Sequence, residues 1–175
     1  MADPGPDSQA MREEIIAVLP RLRRFCRGLT GHAENGDDLM QSTVERALGR
    51  AELFEAGTRV DAWMFRIARN LHIDAIRSVG RRGTQVDIDE IAETRGEDGR
   101  ETVENRSDLA AAQRALQALP EEQRSAFLLV VVEGLSYREA AEVLEVPVGT
   151  IMSRLARARA RIDAVVGRSQ GTGND

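Results

Sequence analysis

The sequence predicts an all-α protein made of two small helical domains joined by a flexible acidic linker. Three observations carry that expectation. Apolar residues recur at helical spacing in both halves of the 175-residue chain, punctuated by Pro and Gly. Aromatic residues make up only 3%, so the core must be Leu, Val, Ile and Ala, which suits packed helices better than a β-sandwich. The acidity is concentrated in one place. Residues 86–108 hold 3 Arg and 9 Asp/Glu, a net of −6, against +1 for residues 1–85 and 0 for residues 109–175. That stretch, VDIDEIAETRGEDGRETVENRSD, has weak periodicity and few large apolar residues, the composition of a solvated connector. The expected domains are 9–83 and 108–167, with a linker over 84–107 and a disordered tail over 168–175.

Composition also excludes several classes of function. With 42% hydrophobic and 30% charged residues the chain can bury a core, so global disorder is out. No run approaches the 18 apolar residues of a membrane span, and MADPGPDSQA lacks a basic-then-apolar signal pattern. The expectation is a soluble, cytoplasmic protein with no membrane insertion. A lone Cys26 and only two histidines, His32 and His72, argue against a disulfide or a zinc site, so no metal and no cofactor is expected. Ser, Cys and His form no nucleophile set, and no Gly-rich phosphate loop follows a strand. An enzyme acting on a small-molecule substrate is therefore not expected.

In the N-terminal half, Ile15, Leu19, Leu22, Phe25 or Cys26, and Leu29 form a helical stripe that Pro20 should kink or divide. GHAENGDD then breaks the chain, with Asn35 or Asp37 able to cap a second helix. On that helix Met40, Val44 and Ala47 share one face, and Asp38, Gln41 and Glu45 lie elsewhere on its surface. A third helix opens with a capping box of Thr58 and Asp61, and buries Val60, Met64, Ile67, Leu71 and Ala75. Arg66, Arg69, Asn70, Arg77, Arg81 and Arg82 decorate its remaining surface and its end.

In the C-terminal half, Leu109, Ala112, Leu116 and Leu119 form a stripe ended by Pro120, which can begin the next helix. EEQRSAFLLVVVEG is apolar on all sides from Ala126 to Val132 and reads as a buried central helix closed by Gly134. Ser136 and Glu139 form a capping box, and Leu135 can pack on Ala140. The short helix YREAAEVL then stops before Pro147, and Glu145 sits in the turn, where Gly, Asn or Asp would adopt a left-handed backbone more readily. A last helix from near Val148 turns Ile151, Leu155, Ala158 and Ile162 inward, with Thr150, Ser153, Arg154, Arg157 and Arg161 on its other side. Two helices joined this tightly cross at about 90–120°, a helix-turn-helix. Arg and Ser or Thr on the outward side suit base edges and phosphates.

Two blocks, DDLMQSTVERAL with AWMFRIARNLHIDAIRSVGRR, and LPEEQRSAFLLVVVEGLSYREAAEVLEVPVGTIMSRLARARARI, resemble the extracytoplasmic-function sigma factors of bacterial RNA polymerase. The resemblance implies that the first domain is sigma region 2 and the second the region 4 helix-turn-helix. It implies a protein that binds core polymerase and directs promoter-specific initiation under stress, controlled by an anti-sigma factor. Asp38, Leu39, Gln41 and Glu45 match the surface that docks on the polymerase β′ clamp helices, and region 4 implies contact with the β flap. Arg66, Arg69, Asn70, His72, Asp74 and Arg77 match the element that melts and reads minus-10 DNA, with Asn70 helping to hold a flipped base. Thr150, Met152, Ser153, Arg154, Ala156, Arg157 and Arg161 match the minus-35 reading positions. An anti-sigma decoy and an ordinary helix-turn-helix repressor are the rival readings. The charge balance predicts weak DNA binding by the free chain, because non-specific affinity draws on phosphate neutralisation.

Overall fold

The computed structural model describes residues 6–51, 54, 59–81 and 103–170. Among them there is helix and no strand. The elements are α1 (Pro6–Thr30), α2 (Ala33–Leu48), α3 (Val60–Arg81), α4 (Val103–Gln117), α5 (Glu121–Phe127), α6 (Tyr137–Leu144) and α7 (Val148–Gln170). None is long and apolar enough to cross a membrane. Thr58, Arg82, residues 84–102 of the expected linker and the chain beyond Gln170 lie outside the described residues. Two helices run past the expected boundaries. α4 begins at Val103, inside the expected linker, because the segment runs on into a packed helix. α7 reaches Gln170, inside the expected tail.

α1, α2 and α3 form the first bundle. Leu22, Phe25, Cys26 and Leu29 of α1 meet Met64, Phe65 and Ala68 of α3 in a fully buried layer, with the Phe25 and Phe65 rings 4.9 Å apart. Pro20 does not divide α1, which runs through it unbroken. Ile16, whose carbonyl loses its donor at Pro20, and Pro20 itself are both exposed, so water can take that carbonyl. Neither Asn35 nor Asp37 caps α2, because the helix starts earlier, after His32. Asp37 instead accepts paired hydrogen bonds of 2.7–2.9 Å from Arg23 and Arg27 of α1. Gly36 makes the close approach possible, since a Cβ there would stand 2.6 Å from the Arg27 Cα. On α3 the fully buried stripe of Val60, Met64, Phe65 and Ala68 ends at Ala68, Ile67 and Leu71 are only half-buried, and Ala75 is exposed because the last turns project past the core.

α4 to α7 form the second domain. Ala111, Ala115 and Leu119 are the buried positions, so the expected stripe is rotated by one residue and Ala112 faces out. The central apolar run is not uniform α-helix. Leu128–Val132 is a π-helical turn, which holds one residue more than an α turn, in a run of three stiff valines. Leu128 and Leu129 point inward while Val131 and Val132 reach the surface, and the extra residue turns Glu133 into the interior. Gly134 takes φ +73, the left-handed close foreseen for it. The Ser136–Glu139 capping box forms with both of its hydrogen bonds. Glu145 ends α6 at φ 54 and ψ 46, and α7 starts just beyond Pro147. Ala140 and Ala141, both buried, let α6 lie close to α7.

The two domains pack together around a shared apolar core. Leu128 seats on α1 where Gly28 leaves room, as a Cβ there would stand 2.5 Å from Leu128 Cδ2. The last carbonyls of α1 are capped across the interface, Gly28 by Gln117 Nε2 at 2.9 Å and Leu29 by an Arg124 amine at 2.7 Å. Around this apolar contact the ion pairs run one way among the described residues. Arg comes from the first domain and Glu from the second: Arg21 and Arg24 with Glu133, Arg59 with Glu139, Arg66 with Glu145, and Arg69 with Glu121.

Candidate nucleic-acid interface

The spacing of α3 sorts its candidate residues. Arg66, Arg69, Asn70, Asp74 and Arg77 fall within one face of the helix, at steps of three, one, four and three. Arg69, Asn70, Ile73, Asp74 and Arg77 line a surface hollow of about 320 Å³, and Asn70 projects from it into solvent. An exposed amide flanked by guanidinium groups can pair with a base edge while phosphates are held on either side. His72 does not join that face. It is turned about 120° away, toward α5, where burial pushes its imidazole below the ordinary value, Glu121 opposes the change and Arg124 adds to it. Its Nε2 is buried without a hydrogen-bond partner.

Two of the α3 arginines are already engaged. An Arg66 amine donates to the Glu142 carbonyl at 2.9 Å, and its guanidinium lies 3.8 Å from Glu145 in the turn of the helix-turn-helix. Arg69 Nε lies 3.6 Å from Glu121. At the base of α3, Asp61 holds the helix start to α1. Burial alone would raise its carboxyl, yet hydrogen bonds from Arg59, Arg21 and the Ala62 N–H hold it below the usual carboxylate range. Trp63 packs on Phe54, ring centroids 5.3 Å apart, as a partly buried core residue.

On α7, Met152, Ala156, Arg157 and Arg161 are exposed, and Met152 is 55% open to solvent. Thr150 is half-buried at the helix start. Ser153 donates back to the Thr150 carbonyl at 3.0 Å, which ties its hydroxyl within the helix. Arg154 is the residue the sequence placed least well. Its side chain is only 12% exposed and donates to Glu122 of α5 at 2.8 Å. Arg159 was missed, although it lies two turns from Met152 on the same exposed flank, a spacing that could have found it.

A third surface lies on α2. Asp38, Gln41 and Glu45 form one exposed stripe, with Gln41 donating to Glu45 at 3.0 Å. Leu39 is off that stripe and packs against the core. Leu48 continues the stripe as an exposed apolar end, 49% open. Among the described residues no group of three or more His, Cys, Asp or Glu converges as metal ligands would.

Comparison with known proteins bears on these surfaces. Residues 109–162 match the family described as "Sigma-70, region 4", and residues 15–69 match "Sigma2 domain of PhyR". The chain is 35% identical over 161 residues to the ECF RNA polymerase sigma factor EcfG of Rhodopseudomonas palustris, covering 92% of this chain and 87% of that one. It is 38% identical over 159 residues to the ECF RNA polymerase sigma factor SigC of Mycobacterium tuberculosis, covering 87% and 81%. Among solved structures it is similar to the sigma factor RpoE of Bartonella quintana, determined in complex with the anti-sigma factor NepR. That match has a TM-score of 0.78 at 32% identity, over 91% of this chain and 98% of that one.

Proposed function

Because the chain belongs to the extracytoplasmic-function sigma factors of RNA polymerase, we propose that its two domains divide a bipartite promoter between them. The domains are taken as residues 9–83 and 108–167. Arg66, Arg69, Asn70, Asp74 and Arg77 of α3 serve the minus-10 element, and the exposed side of α7 serves the minus-35 element. The observation that carries this reading is the pair of exposed readers, each on its own domain: the Asn70 hollow on α3, and Met152, Ala156, Arg157 and Arg161 on α7. On α3, a flipped base would rest its edge on the Asn70 amide, between Arg69 and Arg77. On α7, Arg157 and Arg161 supply phosphate or guanine contacts and Met152 an apolar one.

Core polymerase docks on the α2 stripe of Asp38, Gln41 and Glu45, with its β′ clamp helices as the partner and Leu48 as an apolar anchor at the end. Region 4 meets the β flap. An anti-sigma protein holds the chain inactive in the cytoplasm, in keeping with the NepR-bound relative. The test is runoff transcription with core polymerase on a promoter library. Specific transcripts that need this chain support the reading; holoenzyme that starts none counts against it. The same assay separates it from a decoy, which would bind the regulator without promoting transcription. Tight duplex binding with no effect of polymerase would indicate a repressor.

A further inference from the structure

We propose that Glu121 and Glu122, consecutive residues in the first turn of α5, each hold one arginine of a promoter reader until DNA phosphate displaces them. This rests on the reading of α3 and α7 as DNA-contacting helices. Glu121 lies 3.6 Å from Arg69 Nε on α3, and Glu122 accepts from Arg154 on α7 at 2.8 Å. Successive helical residues project about 100° apart, so one dipeptide reaches two helices on different domains. Both arginines are largely sequestered, at 15% and 12% side-chain exposure. Neither is fully satisfied, because Arg69 Nε and one Arg154 terminal nitrogen are buried without a hydrogen-bond partner.

Those orphaned donors give the exchange its direction. A guanidinium carries five N–H groups in a fork that fits two oxygens of one phosphate, whereas each arginine here meets a single carboxylate oxygen within reach. Burying an N–H without a partner is costly, so a phosphate that accepts from Arg69 Nε, which Glu121 leaves unbonded, or from the free Arg154 terminal nitrogen beside the bonded one, gains more than the glutamate gives up. The released carboxylates lose little. Glu122 is already 64% exposed, and Glu121 keeps a 2.5 Å hydrogen bond from Ser125. Arg157 and Arg161, exposed on the same helix, are open to DNA from the outset. The acid pair thus makes Glu121 and Glu122 positioning residues. They keep Arg69 and Arg154 in place, and they lower the number of phosphates the free chain neutralises.

The test uses the full chain and a labelled duplex of random sequence, followed by fluorescence anisotropy over a series of KCl concentrations. Each additional phosphate contact steepens the slope of log K against log salt by about 0.9. E121Q/E122Q is expected to bind about tenfold tighter at low salt with a slope steeper by about 1–2. E122Q alone, which alters one largely exposed side chain and leaves the interface intact, is expected to steepen it by about 1. E13Q/E14Q makes the same change in net charge on exposed residues of α1 and controls for charge alone. A slope and affinity no different from that control, or no binding by either the unmodified chain or E121Q/E122Q, overturns the proposal. R157A separates the two layers. If it leaves binding unchanged, the assignment of α7 as a DNA reader fails. If R157A weakens binding while the acid-pair variants match the control, only the acid pair fails.

Discussion

Asn70 is the α3 residue whose environment most resembles a waiting contact, since it is exposed between two arginines in a shallow hollow. Removing the amide in Asn70→Ala should leave core polymerase binding intact and impair open-complex formation. One lost base contact costs about 1–3 kcal/mol. Permanganate footprinting of the variant holoenzyme checks this, and unchanged melting would argue that Asn70 is only a solvated helix residue. His72 has a different consequence. Burial at the interface keeps its imidazole below the ordinary value, so the packed arrangement takes up a proton less readily than one in which His72 meets water. An exposed imidazole titrates near 6.5. The contribution of neutral His72 to closure is therefore fully present above about pH 6.5 and is lost as the pH falls below it. His72→Gln should flatten the pH dependence of domain opening between about pH 5 and 7, read by hydrogen exchange at α5. At this scale the sequence shows residue type and misses partners. Arg154 and Arg157 look equivalent three positions apart, yet a glutamate 32 residues upstream claims one and leaves the other to solvent.

Elements with local causes were legible, and those set by packing were not. The second capping box, the glycine close at Gly134 and the stop before Pro147 each follow from chemistry within a few residues, and each is present, whereas the left-handed Glu145 runs against its own local preference. The rotated stripe of α4 and the π turn at Leu128–Val132 depend on what the helices meet. An all-apolar run has no polar face to reveal its rotation, and an alanine-rich helix offers several nearly equal ones. At Pro20 the local rule of helix breaking is relaxed, because Ile16 and Pro20 lie on the exposed flank of α1. Two substitutions follow from the caps. Ser136→Ala removes the acceptor for the Glu139 N–H and should cost about 0.5–2 kcal/mol in denaturant unfolding of the full chain. Glu145→Gly relieves a left-handed backbone at a residue with a Cβ and should stabilise by up to about 1 kcal/mol, provided Gly's extra freedom in the unfolded chain does not offset it. A loss of stability at Glu145→Gly would mean that its 3.8 Å pairing with Arg66 outweighs the strain.

Over the whole molecule, the packed arrangement does not fit the proposed division of a bipartite promoter. Elements named for positions −10 and −35 lie about 25 base pairs apart, roughly 85 Å of duplex at ~3.4 Å per step. A compact chain of this length is only about 40 Å across. On that proposal the domains separate, and the latch that opposes separation is legible in the ion pairs but not in the net charges of +1 and 0. Its centre is Glu133, whose side chain is fully buried while Arg24 grips both of its oxygens at 2.8 and 2.9 Å and Arg21 adds a third contact. Both arginines are partly exposed, so the pairing is worth less than a fully buried one; Glu133→Gln should cost closure about 1–3 kcal/mol. Cys26 simplifies the measurement, since burial pushes its thiol up to about 12 and keeps it from maleimide labels. Dyes at Ser42→Cys and Ala160→Cys, both exposed, report the distance between α2 and α7 by energy transfer. The unmodified chain should give high transfer at low salt and lose it as ionic strength rises and the Debye length falls from about 10 Å to about 3 Å. Glu133→Gln should start in the low-transfer state. Transfer that is indifferent to salt and equal in the variant would show that the apolar seat of Leu128 on Gly28 holds the domains by itself, and that Gly28→Leu is the change needed to part them.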